Sequence, residues 1–379
     1  MIKTIKSIKL LNQPFVIVPK PLKDEIFSSW FTRLSYAHHL HPHTFINLYF
    51  GVKNRDKFKK NIDTSLTKNM LSLIQTMCNN RVQPFKLTLK IHSGYLQEDE
   101  ITVASNRFLG SLKFCPLCLR KDKIPYFRRH WKLVFYNACK EHQCYLYDTC
   151  PQCKNPLSIL KMYNNNFPFN YCSTCGFELK KAKKQTIKQK FIVGLYQQNR
   201  LHNILTRGYV KFGKDIVYSF CFFDVITQLT KIIMLQKNIL FIQYHPLFAL
   251  LKNPLYTKIN SAKSVYLQLS IIQNYALFGI ILSLFDKYQN NLQQYINVNH
   301  KTHWDMVKEI RYLSYWYDTC INNIVPRYIA FGDFVTKNEI ENGIKYLKSQ
   351  HKEITKANLS RLFGNISHFA KYSYKDLPL

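Results

Sequence analysis

Four ligand pairs with metal-site spacing constrain this chain more than any other feature. They are Cys115-Pro-Leu-Cys118, Cys139-Lys-Glu-His142, Cys150-Pro-Gln-Cys153 and Cys172-Ser-Thr-Cys175. Two ligands separated by two residues reach one ion from a single tight turn. Two such turns complete a tetrahedron of soft donors, which suits Zn²⁺. The twenty residues between the first two pairs and the eighteen between the last two leave room for a hairpin or short helix. Back-to-back use gives one Cys₃His set (Cys115, Cys118, Cys139, His142) and one Cys₄ set (Cys150, Cys153, Cys172, Cys175). Interleaved pairing of the four turns is the alternative. Cys144 lies between the pairs and is not needed as a ligand. The expected cofactor is Zn²⁺, two per chain and structural.

Disulfides are the competing use of eleven cysteines. The opening stretch MIKTIKSIKLLNQPF lacks the apolar core of a secretion signal. Clustered cysteines without export point to metal. Cys78, Cys221 and Cys320 stand apart, as small buried apolar residues do. Both ligand sets are full, whereas a catalytic zinc keeps a position open for water. Structural zinc can contribute about 10 kcal/mol or more to a region with little core of its own. A zinc deaminase places Pro directly before its CxxC and carries an upstream H-x-E. Here Pro116 and Pro151 lie inside the pairs, and no H-x-E precedes them. There is no phosphate-cradling loop and no nucleophile elbow. Nothing points to a nuclease carboxylate triad. The reading is therefore a non-enzyme.

The charge is lopsided: 54 Lys and Arg against 22 Asp and Glu, a net +32. Such an excess attracts polyanions and releases their counterions. Codon bias can inflate Lys alongside Asn, Ile, Tyr and Phe, but does not by itself explain so few carboxylates. Nucleic acid is the expected partner class. Hydrophobic residues at 46% and aromatics at 15% make the chain globular. Ser264 to Phe285 carries no charge and is long enough to span a bilayer. Gln268, Ser270, Gln273 and Asn274 interrupt it, so a buried amphipathic helix is expected and no membrane.

The expected fold is mainly α with a small zinc-stabilised α+β middle. Residues 1–111 read as an N-terminal helical, helix-turn-helix-like module. Leu22, Ile26, Trp30, Leu34 and Ala37 mark one helical face, with Asp24 and Glu25 in the first turn and Pro42 as breaker. Thr44 can cap a second helix, Phe45 to Phe50, ended by Gly51. Residues 112–180 form the tandem zinc region and 181–190 a basic linker. Residues 191–335 are helical again, and 336–379 form a helix-turn-helix-like end. Lys180, Lys181, Lys183 and Lys184 head a basic stretch that reads either as solvated linker or as a phosphate-contacting strap. Ile340, Ile344 and Leu347 mark one terminal helix. Thr355 caps a second, Lys356 to Phe363, and Gly364 and Asn365 supply a left-handed turn. Ser367 caps a third towards Tyr374. If that unit reads DNA, Ser367, His368, Lys371 and Tyr372 sit near the start of its recognition helix. A purely structural three-helix end is the alternative.

The stretch FCPLCLRKDKIPYFRRHWKLVFYNACKEHQCYLYDTCPQCKNPL, then YCSTCGFEL, resembles the TniQ family, also called TnsD-like, of transposon target-selection proteins. The likeness includes Tyr126, Arg128 and Trp131 between ligand pairs, the Cys139–His142 pair and Leu146. PLKDEIFSSWFTRLSYAHHL resembles the family's opening at Glu25, Ser28, Trp30 and Arg33. TKANLSRLFG resembles the start of the helix-turn-helix unit that often follows. Residues 20–180 are covered well and the tail loosely, while 190–335 match no motif.

The resemblance implies recruitment of a transposition machine to a chosen target. It implies DNA, an AAA+ regulator and, in some members, a CRISPR guide-RNA surveillance complex as partners. It also implies a homodimer in the bacterial cytoplasm, associated with the nucleoid, and no catalysis. Glu25, Trp30, Arg33 and Trp131 are expected to stabilise the fold rather than contact a partner. A zinc-dependent transcriptional regulator with the same DNA-binding parts is the main rival, and a zinc-containing nucleic-acid enzyme is the third reading.

Overall fold

The computed structural model describes residues 10–59, 61–92, 112–162, 170–235, 240–251, 269–286, 290–308, 310, 313–325 and 337–363. It is mostly helical with two small antiparallel sheets.

The N-terminal module is built on α1 (Phe27–Ala37), α2 (Pro42–Phe50) and α3 (Lys68–Met77). Its core is aromatic: Phe27, Trp30, Phe31, Phe45, Tyr49, Phe50 and Phe58 are all buried. Phe31 stacks on Phe58 with ring centroids 5.5 Å apart. Two local expectations need correction. Asp24 and Glu25 are not in the first turn of α1. Asp24 has φ 54, and Glu25 forms a β-bridge with Arg128 before the helix starts at Phe27. The chain is held extended there because the Ile26 N–H donates to the Phe127 carbonyl, 3.0 Å away. Nor does Thr44 cap α2. His41 does, its ring accepting the His43 N–H at 3.2 Å, and Pro42 is the first helical residue. Pro suits that position because its missing N–H has no intrahelical acceptor there. Gly51 ends α2 at φ 79.

The cysteine-rich middle contains α4 (Pro116–Lys121) and strands β1 (Ala138–Cys139) and β2 (Cys144–Tyr145). The expected basic linker at 181–190 is not a free tether. Gln185–Thr186 forms β3, which pairs with β2 through Cys144↔Thr186 and Tyr145↔Gln185. Beyond it come α5 (Val193–Arg207), the hairpin β4 (Tyr209–Phe212) and β5 (Asp215–Tyr218), α6 (Ser219–Leu235), α7 (Ile271–Ser283), α8 (Asn290–Val298) and α9 (Tyr315–Ile324). One continuous apolar core takes in Ile26, Tyr36 and Leu89 of the N-terminal module and runs through Phe114 in the cysteine-rich middle to Ile321 in α9.

The charge-free segment becomes α7, the central helix of that core. Ser270 and Gln273 form its capping box, and Asn274 to Leu282 are all buried. Ser264 to Gln268 lie outside the described residues. Among the described residues, no helix is long and apolar enough to cross a membrane. At the end, α10 (Lys337–Ser349) and α11 (Lys356–Phe363) share a small core of Ile340, Ile344, Leu347 and Leu359. Thr355 caps α11, its hydroxyl accepting the Asn358 N–H at 3.1 Å.

Candidate metal centres

Each ligand pair sits on a turn that the local sequence explains. Pro116 occupies the first position of α4, so Cys115 caps the helix and Cys118 follows one turn later. In all four turns the fourth residue after the leading Cys donates its N–H back to that Cys carbonyl: Leu119 to Cys115 at 3.2 Å, Gln143 to Cys139 at 2.9 Å, Lys154 to Cys150 at 2.9 Å and Gly176 to Cys172 at 3.0 Å. The last three differ from the first in the backbone of that residue, which takes positive φ, at 46°, 60° and 71°. Glycine does so freely. Gln143 and Lys154 do so against the steric preference of L-residues.

The turns bring eight donors into two groups. One ligand atom each from Cys115, Cys118, Cys139 and His142 lies within 4.8 Å of the others, and the same is true of Cys150, Cys153, Cys172 and Cys175. In the first group the His142 Nδ1 is 3.5 Å from Cys115 Sγ, 3.3 Å from Cys118 Sγ and 3.4 Å from Cys139 Sγ. In the second, Cys150 and Cys175 are 3.6 Å apart and Cys153 and Cys172 3.7 Å apart. The grouping is back to back, not interleaved. Both clusters can hold a metal ion, and three thiolates with an imidazole, or four thiolates, are consistent with zinc. The first centre is deeply buried, while Cys175 of the second is exposed.

Thiols this close share protons. Hydrogen bonds from Cys118, then Cys139 and Cys144, hold Cys115 far below the usual thiol range. Burial pushes Cys150 up to about 12, and the Asn155 N–H helps bring Cys153 down to about 7. Cys144 is outside the first ligand set, as expected. The structure puts its sulfur 3.7 Å from Cys115 Sγ, directly beside the first centre. The signal was available: Cys144 is the cross-strand partner of Cys139 in a hairpin only four residues long between them.

The residues around the first centre tie it to the N-terminal module. The Arg128 guanidinium lies 4.4 Å from the Tyr126 ring and 4.6 Å from the Trp131 ring. It also grips Asp122, which ends α4, with both terminal nitrogens at 3.1 and 2.8 Å. Glu25 is buried, accepts from Ser29 at 2.9 Å and from the Leu22 N–H at 3.0 Å, and forms an ion pair with Arg33 at 3.3 Å. Trp30 donates its indole N–H to the Pro19 carbonyl at 2.8 Å. The Ser28 N–H donates to Asp63 at 2.8 Å, and Asp63 in turn pairs with Lys132. These side chains are thus spent on internal contacts.

The basic stretch divides. Lys180 and Lys181 both pair with Glu178, at 2.6 and 2.9 Å. Lys183 and Lys184 are exposed. Ser367, His368, Lys371 and Tyr372 lie outside the described residues.

No curated protein matches the chain. The TniQ family model matches residues 16–146. That span takes in α1, α2, the Arg128 stack and the whole first centre, and stops short of the second. By this match, residues 16–146 form a TniQ domain.

Proposed function

We propose that this protein selects the target site for a transposition machine and performs no chemistry itself. The TniQ domain over residues 16–146 carries the reading. In this reading both centres hold Zn²⁺ as structural ions. They form a rigid platform between the N-terminal module and the helical remainder. The net charge of +32 supports a nucleic-acid partner. The chain bridges target DNA, or an RNA-guided CRISPR surveillance complex, to an AAA+ regulator and the transposase, and works as a homodimer. Lys183 and Lys184 are exposed and open to phosphate. Lys180 and Lys181 are partly neutralised by Glu178. Ser367, His368, Lys371 and Tyr372 remain candidate DNA contacts.

Co-purification with transposition proteins tests the reading. Capture of an AAA+ ATPase supports it. Binding to a promoter-like duplex with no capture of transposition proteins favours a transcriptional regulator instead. Nuclease or deaminase activity that disappears on changing one carboxylate, with the fold intact, sinks the adaptor reading. Within it, a footprint on one short duplex by the protein alone excludes a need for a guide complex.

A further inference from the structure

Helix α5 has the sequence VGLYQQNRLHNILTR, with no acidic residue. Leu195, Leu201, Ile204 and Leu205 go into the core. The opposite stripe, Tyr196, Arg200, Asn203 and Arg207, follows helical spacing. Gly208, at φ 84, ends the helix and turns the chain straight into β4. The hairpin therefore lies against the helix, and the Ser219 N–H closes its base on the Gly208 carbonyl at 2.8 Å. Strand alternation sends Val210, Phe212 and Val217 inward and leaves Tyr209 and Lys211 outside. Tyr209 is directly opposite Tyr218, and Lys211 opposite Ile216.

The result is a groove of about 510 Å³ between α5 and β4. Its charged lining residues are Arg200, Arg207 and Lys211, and none is acidic. Arg200 is anchored by Asp286 at 2.7 Å. Arg207 and Lys211 are exposed. Tyr196 and Tyr209 in the groove, with Tyr218 beside it, are 67%, 38% and 63% exposed. The aliphatic lining, Ile204 and Val210, is buried in the core and offers a partner no apolar anchor.

We infer that this groove binds single-stranded nucleic acid. Cations spaced along it neutralise successive phosphates, and exposed rings provide flat faces on which unpaired bases stack. A protein partner of this site would find rings and cations without the apolar centre that protein interfaces carry. The inference rests on the reading that the chain handles nucleic acid. It places a contact outside the residues that match the TniQ model and outside the basic stretch.

The test uses the full-length protein and two fluorescent probes, an oligothymidine strand and a duplex of mixed sequence, titrated over a range of salt. Tyr196→Leu with Tyr209→Leu should weaken strand binding by at least about tenfold and leave duplex binding unchanged. Arg207→Gln with Lys211→Gln should weaken strand binding and lower the salt slope by about 1.4, the value for two phosphates on a single strand. Lys345→Gln with Lys348→Gln removes the same charge from the exposed face of α10 and serves as control. Thermal unfolding confirms that each variant is folded. Wild-type affinity and slope in both groove variants overturn the inference, and so does an equal loss in the control. A wild-type protein that binds neither probe also overturns it, while capture of transposition proteins judges the selector reading separately.

Discussion

The Gln198 side chain clamps Ala138 in both directions. Its Nε2 donates to the Ala138 carbonyl at 2.7 Å and its Oε1 accepts the Ala138 N–H at 2.9 Å. The same oxygen accepts the Asn137 N–H at 2.7 Å. Gln198 is on α5 and Ala138 is in β1, one residue before the ligand Cys139. A glutamine from the helical part thus completes the sheet that carries the first metal centre. All three residues are buried, so these backbone groups have no water to fall back on.

Gln198→Leu keeps the volume but abandons those groups. Each buried unsatisfied group costs about 1–3 kcal/mol, so a loss of about 3 kcal/mol or more is expected. Urea unfolding of wild type and variant measures it. Gln198→Glu keeps the acceptor, loses the donor and buries a charge, and should be no milder. A stable Gln198→Leu protein would mean that the clamp does not couple the two parts.

The metal centres differ in exposure, and that sets an order of release. Cys115, Cys118 and Cys139 are at most 3% exposed. Cys175 is exposed and Cys153 half-buried. With zinc bound, a strong chelator should remove metal in two phases from a starting content of about two per chain. The second centre should empty first. Cys172→Ser should lose one zinc and keep the rest folded. Cys115→Ser lies in the continuous core and should unfold the middle and destabilise the helices beyond it. A colorimetric chelator and thermal unfolding give both readouts. One ion or none per native chain refutes the two-centre reading, and release from the first centre first refutes the order.

What could be read in advance follows range. Ligand spacing is local, so the eight donors stand out in the sequence, as does the helix Lys356–Phe363 with its Thr355 cap. The start of α1 was misplaced because helical periodicity says nothing about Arg128, which bridges Glu25 from more than a hundred residues away. The strand Gln185–Thr186 was hidden in a run of lysines, since its pairing with β2 is a tertiary fact and two residues carry no period. Cys144 stays outside the four-ligand set, as its place between the pairs implies, but its closeness to Cys115 comes from strand pairing that ligand spacing does not show. The positive φ of Gln143 and Lys154 leaves no mark in residue type.

Acid should weaken the fold as buried histidines are driven to take up protons. Burial is the main reason that His92 and His202 are brought down to about 4. Nearby Arg129 adds to it for His92 and His130 for His202. In the unfolded chain a histidine titrates near about 6.5. Between these values the unfolded state binds protons that the folded state refuses, so stability is whole above about 6.5 and falls as pH drops towards 4. Burial opposes the charge of Asp24, but His130 and Arg129 outweigh it and hold its pKa below the ordinary value. Its contribution disappears only at still lower pH. Unfolding free energy measured across this range should show the slope, and His202→Gln should reduce it by about one proton. An unchanged slope in that variant would remove His202 from the account.

Helices α5 and α7 approach closely because Gly194 and Gly279 meet at the crossing. A Cβ added at Gly279 would be 3.3 Å from Gly194 Cα and would overlap the end of the Leu247 side chain. One added at Gly194 would be 2.6 Å from two ring carbons of Tyr275 and 2.9 Å from its oxygen. That ring cannot swing aside without breaking the bond from its hydroxyl to the Phe191 carbonyl, 2.9 Å long. In an open helix Gly→Ala gains about 1 kcal/mol from propensity. Overpacking costs about 1–3 kcal/mol and more when the neighbour is fixed. Gly194→Ala should therefore be net destabilising by about 1–2 kcal/mol. Gly279→Ala should be milder, because a leucine methyl can rotate away. The order of the two urea midpoints is the measurement. A Gly194→Ala protein as stable as wild type would show that the helices can separate at no cost, and that the Tyr275–Phe191 bond does not fix their spacing.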